Sequence, residues 1–295
     1  MELRHLRCFL AVAEELHFAR AAERLHIDQS PLSRTIRELE EDLGTTLFQR
    51  TTRSTRLTRA GKAFLEHVPR LFTALDQARM AATTAAAGYE GQLHLAIADG
   101  VAPTRLSALL ALCREEDPEI AVDFSEVPMT ALIKGLHEEL YDVGFAQSPD
   151  VGDGITARIA WSEPLVLAIP ARHPLLVYKR IPLSEALRYP LVLGDPHYCE
   201  GYCNQVERVL RQGDQEPLVA ERVCSPHLMM ALVAAGYALA LVGASQIMAG
   251  CERGVVGRRL QGTEPALVTW IVHRDVELPE AVARFVKRVG SVDSA

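Results

Sequence analysis

From Gln92 to Val289 the chain alternates short apolar runs with amphipathic stretches, and this alternation limits its fold more than any other feature. Leu93–Ala98, Ile120–Val127 and Val143–Ala146 read as strands, with helices expected over Pro103–Glu116 and Thr130–Leu140. Leu165–Pro170 is apolar and is expected to cross to a second unit. There, expected strands at Leu191–Leu193, Leu218–Val223 and Ala238–Val242 alternate with expected helices at Tyr202–Arg211 and His227–Ala235. An expected strand over Ala266–His273 and a helix over Glu280–Val289 close the pattern. Such alternation argues for parallel sheets covered by helices. Two units of this kind joined by crossing strands make a two-lobed α/β body with a cleft.

The first 57 residues follow a different rule. Leu3, Leu6, Phe9, Leu10, Ala13 and Leu16 recur at helical spacing. A shorter helix is expected over Phe18–Leu25, where Ala21 and Ala22 suit a close helix crossing. Asp28 or Ser30 can cap a third helix, and Pro31 is tolerated only in its first turn. Leu32, Ile36, Leu39 and Leu43 form its buried stripe, and Gly44 ends it. Helix, short turn, helix is the helix-turn-helix pattern, whose second helix enters the major groove by its N-terminal end. The residues there are Gln29, Ser30, Pro31, Ser33, Arg34 and Arg37. Gln reads adenine and Arg reads guanine through paired hydrogen bonds. The plain alternative is a three-helix bundle with a solvated polar face.

The stretch R-T-T-R-S-T-R-L-T-R-A-G-K over 50–62 weighs against that alternative. Arg50, Arg53, Arg56 and Arg59 fall three residues apart, and no acid occurs from Leu43 to Lys62. Leu47–Arg50 and Thr55–Leu57 can pair as a wing around Thr51–Ser54. On that hairpin Arg50, Thr52, Arg53 and Arg56 would lie along a phosphate backbone. Charge is divided accordingly. Residues 1–88 hold 13 Lys and Arg against 11 Asp and Glu, which leaves the remainder with 18 against 27 in a chain of net charge −7. A basic front on an acidic body suits a polyanion-binding head with a separate task behind it.

Other classes find little support. No apolar run approaches the roughly 18–20 residues of a membrane span, and the N-terminus lacks a secretory pattern, so a cytoplasmic protein is expected. There is no G-x-S-x-G, phosphate loop or H-E-x-x-H, so no enzyme and no cofactor are expected. Six scattered cysteines do not make a disulfide framework.

The run A-A-E-R-L-H-I-D-Q-S-P-L-S-R-T-I-R-E-L-E-E-D-L-G-T-T-L-F-Q-R-T-T-R-S-T-R-L-T-R-A-G resembles the N-terminal domain of LysR-type transcriptional regulators. Ala22, Leu25, Ser33, Leu39, Leu43, Gly44, Leu47, Phe48, Arg50, Leu57, Thr58 and Gly61 sit where that family's pattern puts them. Asp28 departs from it, placing an acid where the family more often has serine. L-H-E-E-L-Y-D-V-G-F-A, S-E-P-L-V-L-A-I-P-A-R-H-P-L and L-V-A-A-G-Y-A-L-A-L-V are similar to the family's effector domain, which looks like a periplasmic binding protein. The resemblance implies a winged helix-turn-helix over 1–57, a linker helix over 58–88 and an effector-binding domain over 89–295. Lobe I would hold 91–162 and 267–295, and lobe II 163–266. Phe64, Leu65, Val68, Leu71, Phe72, Leu75, Ala78 and Ala82 form a stripe on the linker that suits a two-stranded coiled coil, or else packing on the helix's own domain. The implied partners are double-stranded promoter DNA, a small-molecule effector, a second copy in a dimer that pairs into a homotetramer, and RNA polymerase.

Ligands in open α/β sheets sit beyond the C-terminal strand ends, beside helix N-termini. That rule selects Asp99, Gly100, Val101, Thr104, Met129, Thr130 and Gln147 in the first lobe. In the second it selects Pro196, His197, Tyr198, Cys199, Glu200, Tyr202, Ser225 and His227. Many relatives have Ser or Thr where this chain has Asp99, and some that bind aromatic acids have arginine where it has Gln147. The charges therefore suit a neutral, cationic or zwitterionic effector. A rival reading takes Cys199, Cys203 and Cys224, with His197 and His227, as a thiol redox switch or a metal site.

Overall fold

The computed structural model describes residues 1–50, 55–248, 254–262 and 264–292. The chain divides into two compact units, Met1–Thr83 and Thr84–Ala295.

The first unit opens with α1 (Leu3–Glu15), α2 (Phe18–Arg24) and α3 (Gln29–Leu43). The apolar stripe of α1 buries Leu6, Phe9, Val12 and Ala13. Ala21 and Ala22 are buried on α2, where their short side chains allow close crossing. Leu32, Ile36 and Leu39 form the buried face of α3, which ends at Gly44 in the left-handed region (φ 67°). Asp28 stands at the N-cap of α3, but its side chain makes no capping bond.

A two-stranded antiparallel wing follows, β1 (Phe48–Arg50) and β2 (Thr55–Leu57), with Phe48 opposite Leu57. Then comes α4 (Arg59–Ala86), which continues through Pro69. The Thr58 hydroxyl caps α4 by accepting from the Gly61 amide at 2.9 Å, and it donates to the Thr46 carbonyl at 2.7 Å. One aromatic cluster joins these pieces. The Phe9 ring lies 5.4 Å from Phe48 and 5.0 Å from Phe64, and Phe18 lies 6.0 Å from Phe48. Pairs of this kind add about 0.5–1.5 kcal/mol each beyond their burial. The stripe on α4 is split in use: Ala60, Phe64, Leu65, Val68 and Phe72 pack into the unit's own core, whereas Leu71 and Met80 are exposed.

The second unit contains β3 (Gly91–Ile97), α5 (Pro103–Glu116), β4 (Ile120–Glu126), α6 (Met129–His137), β5 (Val143–Ala146) and β6 (Ile155–Pro170). It continues with β7 (Arg180–Ile181), α7 (Leu183–Ala186), β8 (Leu191–Gly194), α8 (Glu200–Leu210), β9 (Val219–Val223) and α9 (Pro226–Ala234). β10 (Ala240–Gly243), α10 (Ala244–Met248), β11 (Val255–Leu260), β12 (Ala266–Arg274) and α11 (Glu280–Val292) complete it. The main sheet runs β4-β3-β5-β12-β6-β11-β7, with β10 also paired to β6.

The expectation of parallel sheets needs correcting. β4, β3 and β5 are parallel, as are β8 and β9, but β12 lies antiparallel to both β5 and β6. β10 and β11 also run antiparallel to β6. The reason is geometric: β6 leaves the first lobe and β12 returns to it, so the two crossing strands must oppose each other. β6 begins at Ile155, ten residues before the apolar run that signalled it. Where Thr269 pairs with Trp161 and Trp270 with Ile159, Ala160 is the extra residue of a β-bulge. The bulge lets Ala160 and Trp161, adjacent in sequence, both be buried.

Leu165–Ile169 is buried throughout and belongs to the second lobe's core with Tyr202, Val206 and Leu241. In the first lobe, Leu95, Phe145 and Trp161 face one core, and Ala96, Ala146 and Leu132 another. Alternate residues of β3 and β5 thus point to opposite faces of the sheet. The Arg288 guanidinium bonds to Asp117 and Glu116, and Arg284 also reaches Asp117. Arg288 first, and Arg284 with it, holds the Asp117 carboxyl below its ordinary range near 3.8.

A Cβ on Gly61 would fall 2.1 Å from the Leu47 carbonyl oxygen, a backbone atom that cannot step aside. Gly61→Ala is expected to cost the head about 1–3 kcal/mol, read as a lower urea midpoint with unchanged m-value. The Asp117 pairing adds stability above the unfolded carboxylate pKa and loses it as pH falls through the depressed folded value. Arg288→Met should therefore flatten the acid limb of a stability-versus-pH curve, and an unchanged limb would exclude the pairing as its source.

Candidate nucleic-acid interface and effector cleft

The buried stripe of α3 fixes what its other face presents. With Leu32, Ile36 and Leu39 inward, Gln29, Ser30, Pro31, Arg34 and Arg37 are exposed and Ser33 is half-buried. Arg34, Arg37 and Arg56 form no ion pair among the described residues. By contrast Arg20 and Arg24 are tied to Glu15 and Glu14. Arg4, Arg20 and Arg24 are thus matched to carboxylates, whereas the arginines of α3 and β2 are not. The backbone of Arg50 lies in β1, opposite Thr55. Its side chain, together with Thr52 and Arg53, falls outside the described residues.

One residue that the sequence reading passed over holds this surface together. The Glu40 carboxylate on α3 accepts from the amides of Leu47 at 2.7 Å and Phe48 at 3.0 Å. These amides enter the wing, so an acid in the third helix fixes the hairpin beside it. Its only sequence signal is a glutamate on a helix already rich in polar residues.

In the second unit, the residues selected for the cleft fall into two groups. Asp99, Gly100 and Val101 follow β3 and are half-buried, while Thr104 and Thr130 are exposed in the first turns of α5 and α6. Pro196, His197, Tyr198, Glu200 and His227 are exposed, with the His197 and Tyr198 rings 4.9 Å apart edge to face. Met129, Gln147, Cys199 and Tyr202 are buried. The Tyr202 hydroxyl donates to the Leu241 carbonyl at 2.5 Å, and burial pushes its pKa far above the ordinary phenol value. Ser225 caps α9 by accepting from the Leu228 amide.

Asp99 and Gln147 lie at the strand ends of the first lobe and meet α8 of the second. The Asp99 carboxylate accepts from the Gly201 amide at 2.9 Å and the Gln147 amide at 3.2 Å. Burial, the leading influence, raises the pKa of Asp99 against the lowering effect of these donors. Gln205, which the sequence did not single out, behaves like a strand residue turned sideways. Its Nε2 donates to the carbonyls of Gln147 (2.7 Å) and Val268 (2.8 Å), and its Oε1 accepts from the Val268 amide (2.9 Å). A separate cavity of about 200 Å³ lies where the crossing strands turn, lined by Glu163, Leu165, Arg259 and Pro265 among others.

The cysteines of the rival reading differ in setting. Cys199 and Cys203 share a hydrogen bond at the start of α8 and are buried, whereas Cys224 is exposed. Among the described residues no group of three His, Cys, Asp or Glu side chains could hold a metal ion. Nor is any helix among them long and apolar enough to cross a membrane.

A winged helix-turn-helix followed by a two-lobed α/β domain defines a ligand-responsive DNA-binding regulator. Residues 3–62 match the family model for a bacterial regulatory helix-turn-helix protein of the lysR family, and residues 86–293 match that for the LysR substrate binding domain. Similar proteins include the uncharacterized HTH-type transcriptional regulator YnfL of Escherichia coli K12, 34% identical over 83% of each chain. Another is the HTH-type transcriptional regulator XapR of the same organism, 31% identical over 97% of this chain and 96% of its own. The crystal structure of full-length CbnR complexed with its target DNA aligns over 99% of this chain and 100% of that one, at 29% identity and a TM-score of 0.76. The chain belongs to the LysR family of transcriptional regulators. It is a DNA-binding regulator with an effector-binding domain, not an enzyme.

Glu40→Ala should leave the Leu47 and Phe48 amides without their acceptor, at about 1–3 kcal/mol of head stability. It should also weaken binding to specific and random duplexes alike, which fluorescence anisotropy measures directly. A selective loss for the specific site alone would contradict this positioning role.

Proposed function

We propose that α3 reads base edges through Gln29, Ser30, Ser33, Arg34 and Arg37, while the wing residues Arg50, Thr52, Arg53 and Arg56 engage phosphates. The observation that carries this is the exposed, unpaired state of Arg34, Arg37 and Arg56 in a head where Arg4, Arg20 and Arg24 are matched to acids. Arginine gives paired bonds to guanine or phosphate only when it is free of internal carboxylates. We further propose the division into head 1–57, linker 58–88 and effector domain 89–295. The exposed half of α4 then pairs two subunits, so that two heads meet two half-sites of a pseudo-palindrome. Assembly into a tetramer, contact with RNA polymerase and residence in the cytoplasm belong to the same reading.

The effector of this reading is a small molecule held between the lobes, contacted by Thr104, Thr130, His197, Tyr198, Glu200 and His227. With Asp99, Asp195 and Glu200 near the cleft and no arginine at Gln147, a neutral, cationic or zwitterionic molecule fits. Effector binding shifts the regulator only to the extent that it favours one lobe arrangement over another.

Selection of a site from a randomised duplex pool with the full-length chain supplies the test sequence. Arg34→Ala should lose about 1–3 kcal/mol on that site and far less on random DNA. Arg56→Ala should weaken both and lower the slope of log K against log salt by about one. Equal losses for Arg34→Ala on both duplexes would defeat base reading by that residue.

A further inference from the structure

We propose that Asp99 is an internal ligand: its carboxylate fills the anion-binding position at the start of α8 and so determines which effectors the cleft admits. The inference rests on reading the cleft as the effector site. The first-turn amides of a helix have no partner within it, and the helix dipole favours negative charge there. α8 has eleven residues, and its N-cap, Cys199, gives no side-chain capping bond. The missing acceptor comes instead from 102 residues away, where Asp99 Oδ1 takes the Gly201 amide and Oδ2 the Gln147 amide.

The backbone is bent to deliver this group. Asp99 stands in the left-handed region at φ 67°, followed by Gly100 at φ 80°. A non-glycine residue is held there only where its surroundings fix it. α8 approaches so closely that a Cβ on Gly201 would lie 2.4 Å from Asp99 Oδ2 and 2.6 Å from the Gln147 carbonyl carbon. Gln205 fastens the same helix to Gln147 and Val268. The position a ligand's carboxylate would take is thus already occupied by a tethered one, whose effective concentration exceeds that of a free metabolite. The neighbouring polar atom left over has the opposite requirement. Gln147 Oε1 is buried, has no hydrogen-bond partner, and calls for a donor. The cleft therefore rejects simple carboxylates and accepts an effector that presents N–H or O–H groups.

The experiment compares the full-length wild type with Asp99→Gly, which the positive φ tolerates, and with Asp99→Asn, which keeps the bulk of the side chain without its charge. Thermal melts are recorded in sodium acetate and in sodium chloride of equal concentration. Asp99→Gly should melt below wild type and regain about 2–4 °C in about 100 mM acetate, the shift expected of a ligand that restores a missing acceptor in a domain of this size. Wild type and Asp99→Asn should not respond. Acetate stabilising wild type as much as Asp99→Gly, or failing to stabilise Asp99→Gly, would overturn the proposal. If Asp99→Gly does not fold, hydrogen exchange on the wild type decides. Slow exchange at Gly201 without any ligand supports the internal carboxylate, and fast exchange refutes it. The cleft reading is checked separately by Thr104→Trp with Thr130→Trp, which should abolish regulated expression from the selected promoter site. An effective block beside an acetate-silent Asp99→Gly would sink the internal ligand and leave the effector site standing.

Discussion

Strand β6 must serve two hydrophobic cores with one uninterrupted backbone, and the effector domain is organised by that demand. Its first half pairs with β12, and its second with β10 and β11. In the second half five consecutive residues are buried, so side chains on both faces of the strand meet apolar partners. In the first half burial is intermittent, and the bulge at Ala160 adjusts the register so that Trp161 reaches Phe145 at 5.1 Å between ring centroids. A strand so constrained cannot slip, because a shift of one residue would reverse every side chain in both lobes. Both lobes are thus anchored on one strand, with β12 paired along its first half. α8 is held across the cleft by its Gly201 amide on Asp99 and by Gln205 on Gln147 and Val268.

The DNA-binding head solves a related problem with fewer residues. Its hairpin is too short to stand alone. Three things hold it: the Glu40 carboxylate from α3, the Phe48 ring against Phe9 and Phe18, and the Thr58 cap linking it to α4. Each fixes the wing relative to a helix, so the guanidinium groups on α3 and β2 are arranged by packing and not by mutual attraction. Charge supplies affinity in such a head, and the aromatic cluster supplies geometry.

How much of this was legible in the sequence depended on the range of the interactions. The three helices, the wing and the Gly44 terminus follow from local periodicity and local backbone preference, and they appear within a residue or two of their expected bounds. Pro103–Glu116 and Val143–Ala146 coincide with expectation for the same reason. The first half of β6, I-T-A-R-I-A-W-S-E-P, carries Arg158, Glu163 and Pro164 and does not alternate cleanly, because β12 pairs with it through a bulge. β11 was missed because Arg258 and Arg259 interrupt its apolar character, and β7 because two residues show no period. Strand direction is invisible to alternation, so the antiparallel course of β12 could not be read. At the candidate sites the residue types were chosen from strand-end rules, but their partners were not. Glu40 reaches residues 7 and 8 positions on, Asp99 reaches one 102 away, and Gln205 spans 58 and 63. Nothing in a linear pattern marks such pairings.

The absence of a side chain at Gly61 has a mechanical corollary. The Leu47 carbonyl rests against the bare α-carbon, with Thr58 bonded to the same stretch of chain, so no slack separates the hairpin from the long helix. Torque applied along that helix is delivered to the hairpin as rigid displacement and is not dissipated in a loop. The smallest residue in the head thereby becomes the coupling through which a twist of the shaft reaches the groove.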